Sequence, residues 1–175
     1  MLSLRRLFSV LMALGVICGL SVVQAQPSSC DRRVYLTFDT GHMGVADLVA
    51  QVLQRQQIRA TFFAADEPTQ TGDGSLGTHW AAWWRARAAE GHVLASHTLD
   101  HLYWRRDLPN ERFEVRATSG PFKGQTRVMD AAQYCAEIKR GSERLQQITG
   151  VGPVPLYRAP GGKTSTALDR KSTRL

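Results

Sequence analysis

Val34-Tyr35-Leu36-Thr37-Phe38-Asp39-Thr40-Gly41 is an apolar, β-rich run that ends on a carboxylate and a glycine. A run of this kind, closed by polar turn residues, predicts a buried strand ending in a loop. Ala46 to Gln56 follows, with Leu48, Val49, Val52 and Leu53 at helical spacing. Ile58 to Ala65 predicts a second strand, and the Gly-, Thr- and Asp-rich segment from Glu67 to Thr78 a loop. His79 to Ala89 predicts a helix with Trp80, Trp83 and Trp84 as its bulky face, and His92 to Ser96 a third strand. Strand–helix alternation predicts parallel strands in an α/β fold.

Downstream the pattern loosens. Residues 108–128 carry Pro109, Gly120, Pro121 and Gly124 and predict a long surface insertion. Asp130 is placed to cap a helix from Ala131 to about Thr149, closed by Gly150. Val154 to Arg158 predicts a further strand, weakened by Pro155. The chain holds no internal repeat and no low-complexity tract.

Both ends are set apart from the body. Arg5 and Arg6, the apolar run from Leu7 to Val23 and the small-residue site at Val23-Gln24-Ala25 read as a secretory signal, residues 1–25, cut after Ala25. The alternative for that run is a membrane anchor, at the short limit for a span. Cleavage implies an exported, periplasmic or extracellular protein with no stable membrane insertion. Export implies an oxidising compartment, where Cys30 and Cys135 form a disulfide or remain two free thiols. Asp169 to Leu175 back-translates to GATCGGAAGAGCACACGTCTG, the start of a common sequencing adapter, so the last seven residues are expected to be read-through after Leu168. Of the formal charge of +7, Arg5 and Arg6 carry two and those last seven residues a net two, leaving about +3. With no basic run interleaved with aromatics, that balance argues against a nucleic-acid partner.

Asp39, His97 and Arg158 each fall at or just past the end of a predicted strand. In a parallel β/α barrel those ends share one face, where sites are built. A carboxylate there needs a partner such as Arg158 or a metal. His97 and His101 are spaced to lie on one face of a helical turn and to reach one metal. Arg158, ahead of Pro160-Gly161-Gly162, can hold a carboxylate bidentately. Gly162-Lys163-Thr164 imitates the end of a phosphate-binding loop, but the required upstream glycine is Tyr157. His92 is read as structural and His79 as a surface residue. Trp80, Trp83, Trp84, Tyr103 and Trp104 have the chemistry to stack on sugars, with core packing the simpler role.

Thr37-Phe38-Asp39-Thr40-Gly41, Ser96-His97-Thr98-Leu99-Asp100-His101 and Arg158-Ala159-Pro160-Gly161-Gly162, in that order, resemble the polysaccharide deacetylases of carbohydrate esterase family 4, the NodB-homology domain. Ala60-Thr61-Phe62-Phe63 and Glu90-Gly91-His92 also resemble family strings. The resemblance runs from about Arg33 to Leu168 and implies a domain over residues 26–168 that is a partial, distorted parallel β/α barrel, C-terminally incomplete. It implies Asp39 as catalytic base, His97 and His101 as metal ligands, and Arg158 as the residue that orients the base. The implied cofactor is a divalent metal, zinc first, with cobalt or manganese as alternatives. The implied reaction is removal of N-acetyl groups from an N-acetylhexosamine glycan, with peptidoglycan, chitin-like oligomers and exported poly-N-acetylglucosamine all fitting. Two other readings are a catalytically silent carbohydrate-binding domain and an amidase acting on a non-sugar acyl amide.

This sequence departs from the family pattern twice. The family's third ligand is a second aspartate in the first motif, and Thr40 stands there. Three expectations follow: binding by His97 and His101 with extra water, recruitment of His42, or loss of the metal. The later motifs, including the Leu-x-His string that supplies the family's general acid, have no counterpart here, so this stretch by itself is expected neither to fold stably nor to turn over substrate.

Overall fold

The computed structural model describes residues 34–152 and 155–172, which fall in one compact unit. The expected signal, and the Cys30 half of the expected disulfide, lie outside the described residues. Cys135 is a half-buried free thiol whose pKa burial raises.

Three short parallel strands form the frame: β1 (Thr37–Asp39), β2 (Thr61–Ala64) and β3 (Val93–Ser96), in the order β1-β2-β3. Helices α1 (Ala46–Arg55) and α2 (Ala81–Ala89) make the crossovers. Register pairs Asp39 with Phe63, and Phe63 with Ala95, so the strand exits line up. A fourth parallel position lies beyond β3, as a single bridge between Ser96 and Tyr157. There the Ser96 N–H donates to the Leu156 carbonyl (3.3 Å) and the Arg158 N–H to the Ser96 carbonyl (3.1 Å). The predicted strand at 154–158 is thus reduced to this contact among the described residues.

Two local readings change. β1 is shorter than the quoted run: Val34, Tyr35 and Leu36 precede it and are exposed, Tyr35 at 77%. β1 is an edge of the described sheet, so its apolar lead-in has cover on one side only. On α1 the inward stripe is Ala46, Val49, Ala50 and Leu53, while Leu48 and Val52 face out.

The predicted insertion is in fact ordered β structure. β4 (Leu102–Leu108), β5 (Arg112–Ala117) and β6 (Thr126–Asp130) form an antiparallel meander. Along β5, Phe113, Val115 and Ala117 are buried, and Arg112 and Arg116 are exposed. A sheet with one wet face alternates in this way and is easily read as polar and irregular.

Helix α3 (Ala131–Thr149) joins the two sheets. It opens on a reciprocal capping box, Asp130 with Gln133, and ends at Gly150 in the left-handed region (φ 74°). Tyr134 and Ile138 pack with Leu102, Phe113 and Leu168 under the meander. Leu145 and Ile148 pack with Phe62, Trp84 and Leu94 under the parallel sheet. Between the two ends, Gly141 lets the helix backbone approach the β3 exit; a Cβ there would stand 2.5 Å from Ser96 Oγ. Leu168 is carried by α4 (Thr166–Ser172), which runs across the boundary expected at 168/169. Among the described residues, no helix is long and apolar enough to cross a membrane.

Candidate active site

Arg158 leaves the bridge beside β3 and its guanidinium reaches β1. Nη1 donates to Asp39 Oδ1 at 2.7 Å, Nη2 to Thr37 Oγ1 at 2.8 Å, and the planar group lies 4.1 Å from the ring centre of Phe63. Thr37 and Asp39 are two apart on a strand and so share a face. The other carboxylate oxygen, Asp39 Oδ2, stands 3.8 Å from His97 Nε2.

His97 follows β3 directly and is almost fully enclosed, its side chain 2% exposed. Its Nδ1 lies 2.8 Å from the Arg158 carbonyl, an acceptor, so Nδ1 carries the proton and Nε2 the lone pair. His101 is not on a helical turn with it. Residues 97–101 form an irregular turn from β3 into β4, with Thr98 and His101 at positive φ (59° and 48°). That turn still sets the two rings 5.0 Å apart. Thr98 holds it closed, its hydroxyl accepting from the Leu102 N–H at 2.8 Å. His101 Nδ1 hydrogen-bonds Thr118 Oγ1, whose own proton goes to the His101 carbonyl at 3.2 Å. Thr118 is therefore the acceptor, and His101 Nε2 is also left with its lone pair.

Burial is the main cause holding His97 below the ordinary imidazole value, against the opposing pull of Asp39 and the Arg158 carbonyl. His101 is pushed down to about 4, by burial first and then by His97, with Asp39 opposing. Both imidazoles are neutral near pH 7, the form that ligates a metal.

Glu67, three residues past β2, was read from sequence only as the start of a loop. Its Oε1 lies 3.4 Å from His101 Nδ1, and its Oε2 is buried without a hydrogen-bond partner. Its pKa is raised by burial first and by the Asp39 charge, with the Thr40 hydrogen bond and His42 opposing. Thr118 was also missed, hidden in the segment read as insertion. The signal for Glu67 was its place: it lies just past the exit of β2, as Asp39 ends β1 and His97 follows β3.

Thr40 and His42 are otherwise engaged. The Thr40 hydroxyl accepts from the Ala65 N–H at 2.9 Å and lies 3.3 Å from the Ala65 carbonyl. His42 is exposed, and its Nδ1 accepts from the Gly44 N–H at 3.0 Å. Among the described residues, no three His, Cys, Asp or Glu side chains stand as a closed ligand group. The donor types nonetheless suit a divalent cation: two oriented neutral imidazoles, with carboxylates beside each.

A cavity of about 240 Å³ opens beside the loop after β1. It shares Asp39 and Thr40 with the site, is walled by Phe38, Met43, Phe62 and Trp83, and neither imidazole of the pair lines it. Trp84 is wholly buried, its Nε1 donating to the Ser75 carbonyl at 2.7 Å, and is core. His92 is structural: its Nδ1 accepts from the Ala60 N–H at 3.0 Å. His79 is exposed.

Parallel strands whose exits gather an acid, a guanidinium and two imidazoles define an α/β fold with its candidate site at the strand exits. The chain belongs to the polysaccharide deacetylase family, whose sequence model matches residues 26–175. It is 29% identical over 136 residues to the chitooligosaccharide deacetylase of Azorhizobium caulinodans, covering 77% of this chain and half the length of that relative. Its fold is similar to the chitin deacetylase of Colletotrichum lindemuthianum (TM-score 0.55, 21% identity, covering 80% of this chain and 50% of that one). It is also similar to a family 4 acetyl xylan esterase of Clostridium thermocellum, solved with a cobalt ion (TM-score 0.52, 21% identity, covering 78% and 53%). The shared fold is the distorted β/α barrel of these proteins.

Proposed function

We propose that the protein is a metal-dependent hydrolase that removes N-acetyl groups from an N-acetylhexosamine glycan and releases acetate. The observation that carries this reading is the division of labour at Asp39. Oδ1 is fixed by Arg158 at 2.7 Å, while Oδ2 faces the imidazole pair and is free to accept a proton. Family membership and the chitooligosaccharide activity named for the Azorhizobium relative support the substrate class.

His97 and His101 would hold a divalent cation, zinc before cobalt or manganese, through their Nε2 atoms. Such a cation supplies Lewis acidity toward the acyl oxygen and lowers the pKa of water. Asp39 Oδ2 takes the proton of the attacking water as general base. Arg158 keeps that carboxylate aimed. The Arg158 and Thr118 acceptors fix the tautomers of the two imidazoles, and enclosure of His97 keeps bulk water from them. The signal-like residues 1–25 support action outside the cytoplasm on a cell-wall or exported polymer.

The test is acetate release from N-acetylglucosamine oligomers by the full-length gene product, before and after chelation, with Asp39→Asn beside it. The reading expects activity that chelation abolishes, metal restores, and the substitution lowers by about 10²–10⁴-fold. A second reading, a silent carbohydrate-binding domain, is favoured by one observation: the hydroxyl at position 40 is committed to the Ala65 backbone. Oligomer binding without acetate release would select it.

A further inference from the structure

The aromatic side chains around the site are mostly committed. Phe63 lies under the Arg158 guanidinium, Trp84 is core, and the Trp104 indole N–H donates to Asp107 Oδ1 at 3.0 Å. Tyr103 is different. It is the second residue of β4, between Leu102, which is wholly buried, and Trp104, which packs with the core under the meander. Alternation along the strand therefore turns Tyr103 to the other face, where it pairs across the sheet with the exposed Arg116. Its ring stands 5.0 Å from that of His101 and perpendicular to it (87°).

The turn after Arg158 is built around that ring. Gly161 is in the left-handed region (φ 62°), and a Cβ on it would stand 2.3 Å from Tyr103 Cε1, so the bare backbone passes against the ring edge. Lys163 places its Nζ 5.7 Å from the ring centre. Exposure rises along this path: His101 is buried, Tyr103 half-buried, and Gly161, Gly162 and Lys163 exposed. The Tyr103 ring thus stands between the enclosed imidazoles and solvent. Beside it the space is open, since a Cβ on Gly162 would meet nothing within 4 Å.

On the glycan-hydrolase reading of this site, on which the assignment rests, we infer that Tyr103 and Lys163 form the subsite that seats the sugar ring carrying the acyl group. A pyranose has an apolar C–H face and a rim of hydroxyls. An aromatic ring matches the first, and an ammonium with three donors matches the second. An apolar wall with a few placed polar groups is how such sites fix a ligand. The alternative role for Tyr103, steadying the His101 ring, is that of a positioning residue and leaves the affinity of the metal-free protein for sugar unchanged.

Calorimetric titration of the metal-free, full-length gene product with an N-acetylglucosamine oligomer, beside steady-state kinetics of the metal-loaded protein, separates the two roles. Tyr103→Leu keeps apolar bulk but removes the aromatic face. It should weaken oligomer binding about tenfold and raise KM by a similar factor, with kcat little changed. Tyr103→Phe keeps the face and should bind within about twofold of wild type. Lys163→Met keeps the length of the side chain without its donors and should weaken binding about 3–10-fold. Unchanged oligomer affinity in Tyr103→Leu, a fall in its kcat alone, or Tyr103→Phe binding as weakly as Tyr103→Leu overturns the subsite and leaves the hydrolase reading standing. Oligomer binding that depends on Tyr103, with no acetate released by the metal-loaded protein, upholds the subsite and overturns the hydrolase reading. Wild type that neither binds nor cleaves the oligomer overturns both.

Discussion

The carboxylate of Asp39 accepts a hydrogen bond from the guanidinium of Arg158 at 2.7 Å, across 119 positions of chain. The same arginine receives His97 Nδ1 at its backbone carbonyl, at 2.8 Å. One residue thus fixes both the acid and the enclosed imidazole, which couples the aim of the base to the position of the first proposed ligand.

Arg158→Lys keeps the charge but loses the fork that grips Asp39 and Thr37 together. A misplacement on the order of 1 Å lowers rate about 10²-fold. Steady-state kinetics on an N-acetylglucosamine oligomer should show kcat falling by about that factor, with KM little changed. A variant with unchanged kcat would show that Asp39 needs no fixed orientation.

Thr118→Val removes the acceptor for His101 Nδ1 while keeping side-chain volume. The ring is then free to turn and to change tautomer. Cobalt or zinc affinity should fall about 10–100-fold, as for other outer partners of a ligating histidine. Equilibrium dialysis at pH 7 measures it.

His92 carries a pH dependence of stability that is separate from the site. Its Nδ1 accepts from the Ala60 N–H, so folding favours the neutral ring, and burial holds its pKa below the ordinary 6.5. The Glu90 carboxylate opposes the shift, and the Arg87 charge adds to it. In the window below 6.5 the unfolded chain binds the proton and the folded ring resists it, so this contribution is full above that pH and is lost as pH falls. His92→Asn, which keeps an acceptor that does not titrate, should give a shallower fall in melting temperature between pH 7 and 5.

Gly141→Ala sets two effects against each other. Helix propensity gains at most about 1 kcal/mol. The new methyl would meet Ser96 Oγ at 2.5 Å, and that hydroxyl cannot retreat, being bonded to the Ile138 carbonyl and the Thr98 N–H. Overpacking of this kind costs about 1–3 kcal/mol. Chemical denaturation should therefore show net destabilisation, with the shift felt at the turn that carries the histidines.

The parts of the site that were legible are those written as strings at strand exits. Asp39, His97 and Arg158 could be placed because each follows an apolar, β-branched run, and parallel strands deliver their exits to one face. What failed to show lay in segments whose polarity disguised their order. Phe113 and Val115 alternate with arginines and glutamate because one face of β5 is wet, and so Thr118, just past β5, went unseen. Glu67 opens a loop rich in glycine and threonine, and only the register of β2 between β1 and β3 places it beside His101. The spacing of His97 and His101 is the instructive case. Residues four apart met as expected, but through a turn with two residues at positive φ rather than a helix, because spacing limits which groups can touch without fixing the backbone that joins them.

The central claim is that a carboxylate, a guanidinium and two imidazoles, distant in sequence, serve one cation. Anomalous diffraction from crystals of the full-length gene product soaked in cobalt tests it directly. The account predicts a peak about 2 Å from Nε2 of both His97 and His101, with Asp39 held beside it by Arg158. Cobalt bound elsewhere, with these two nitrogens bare while the crystals still release acetate from a soaked oligomer, would contradict it.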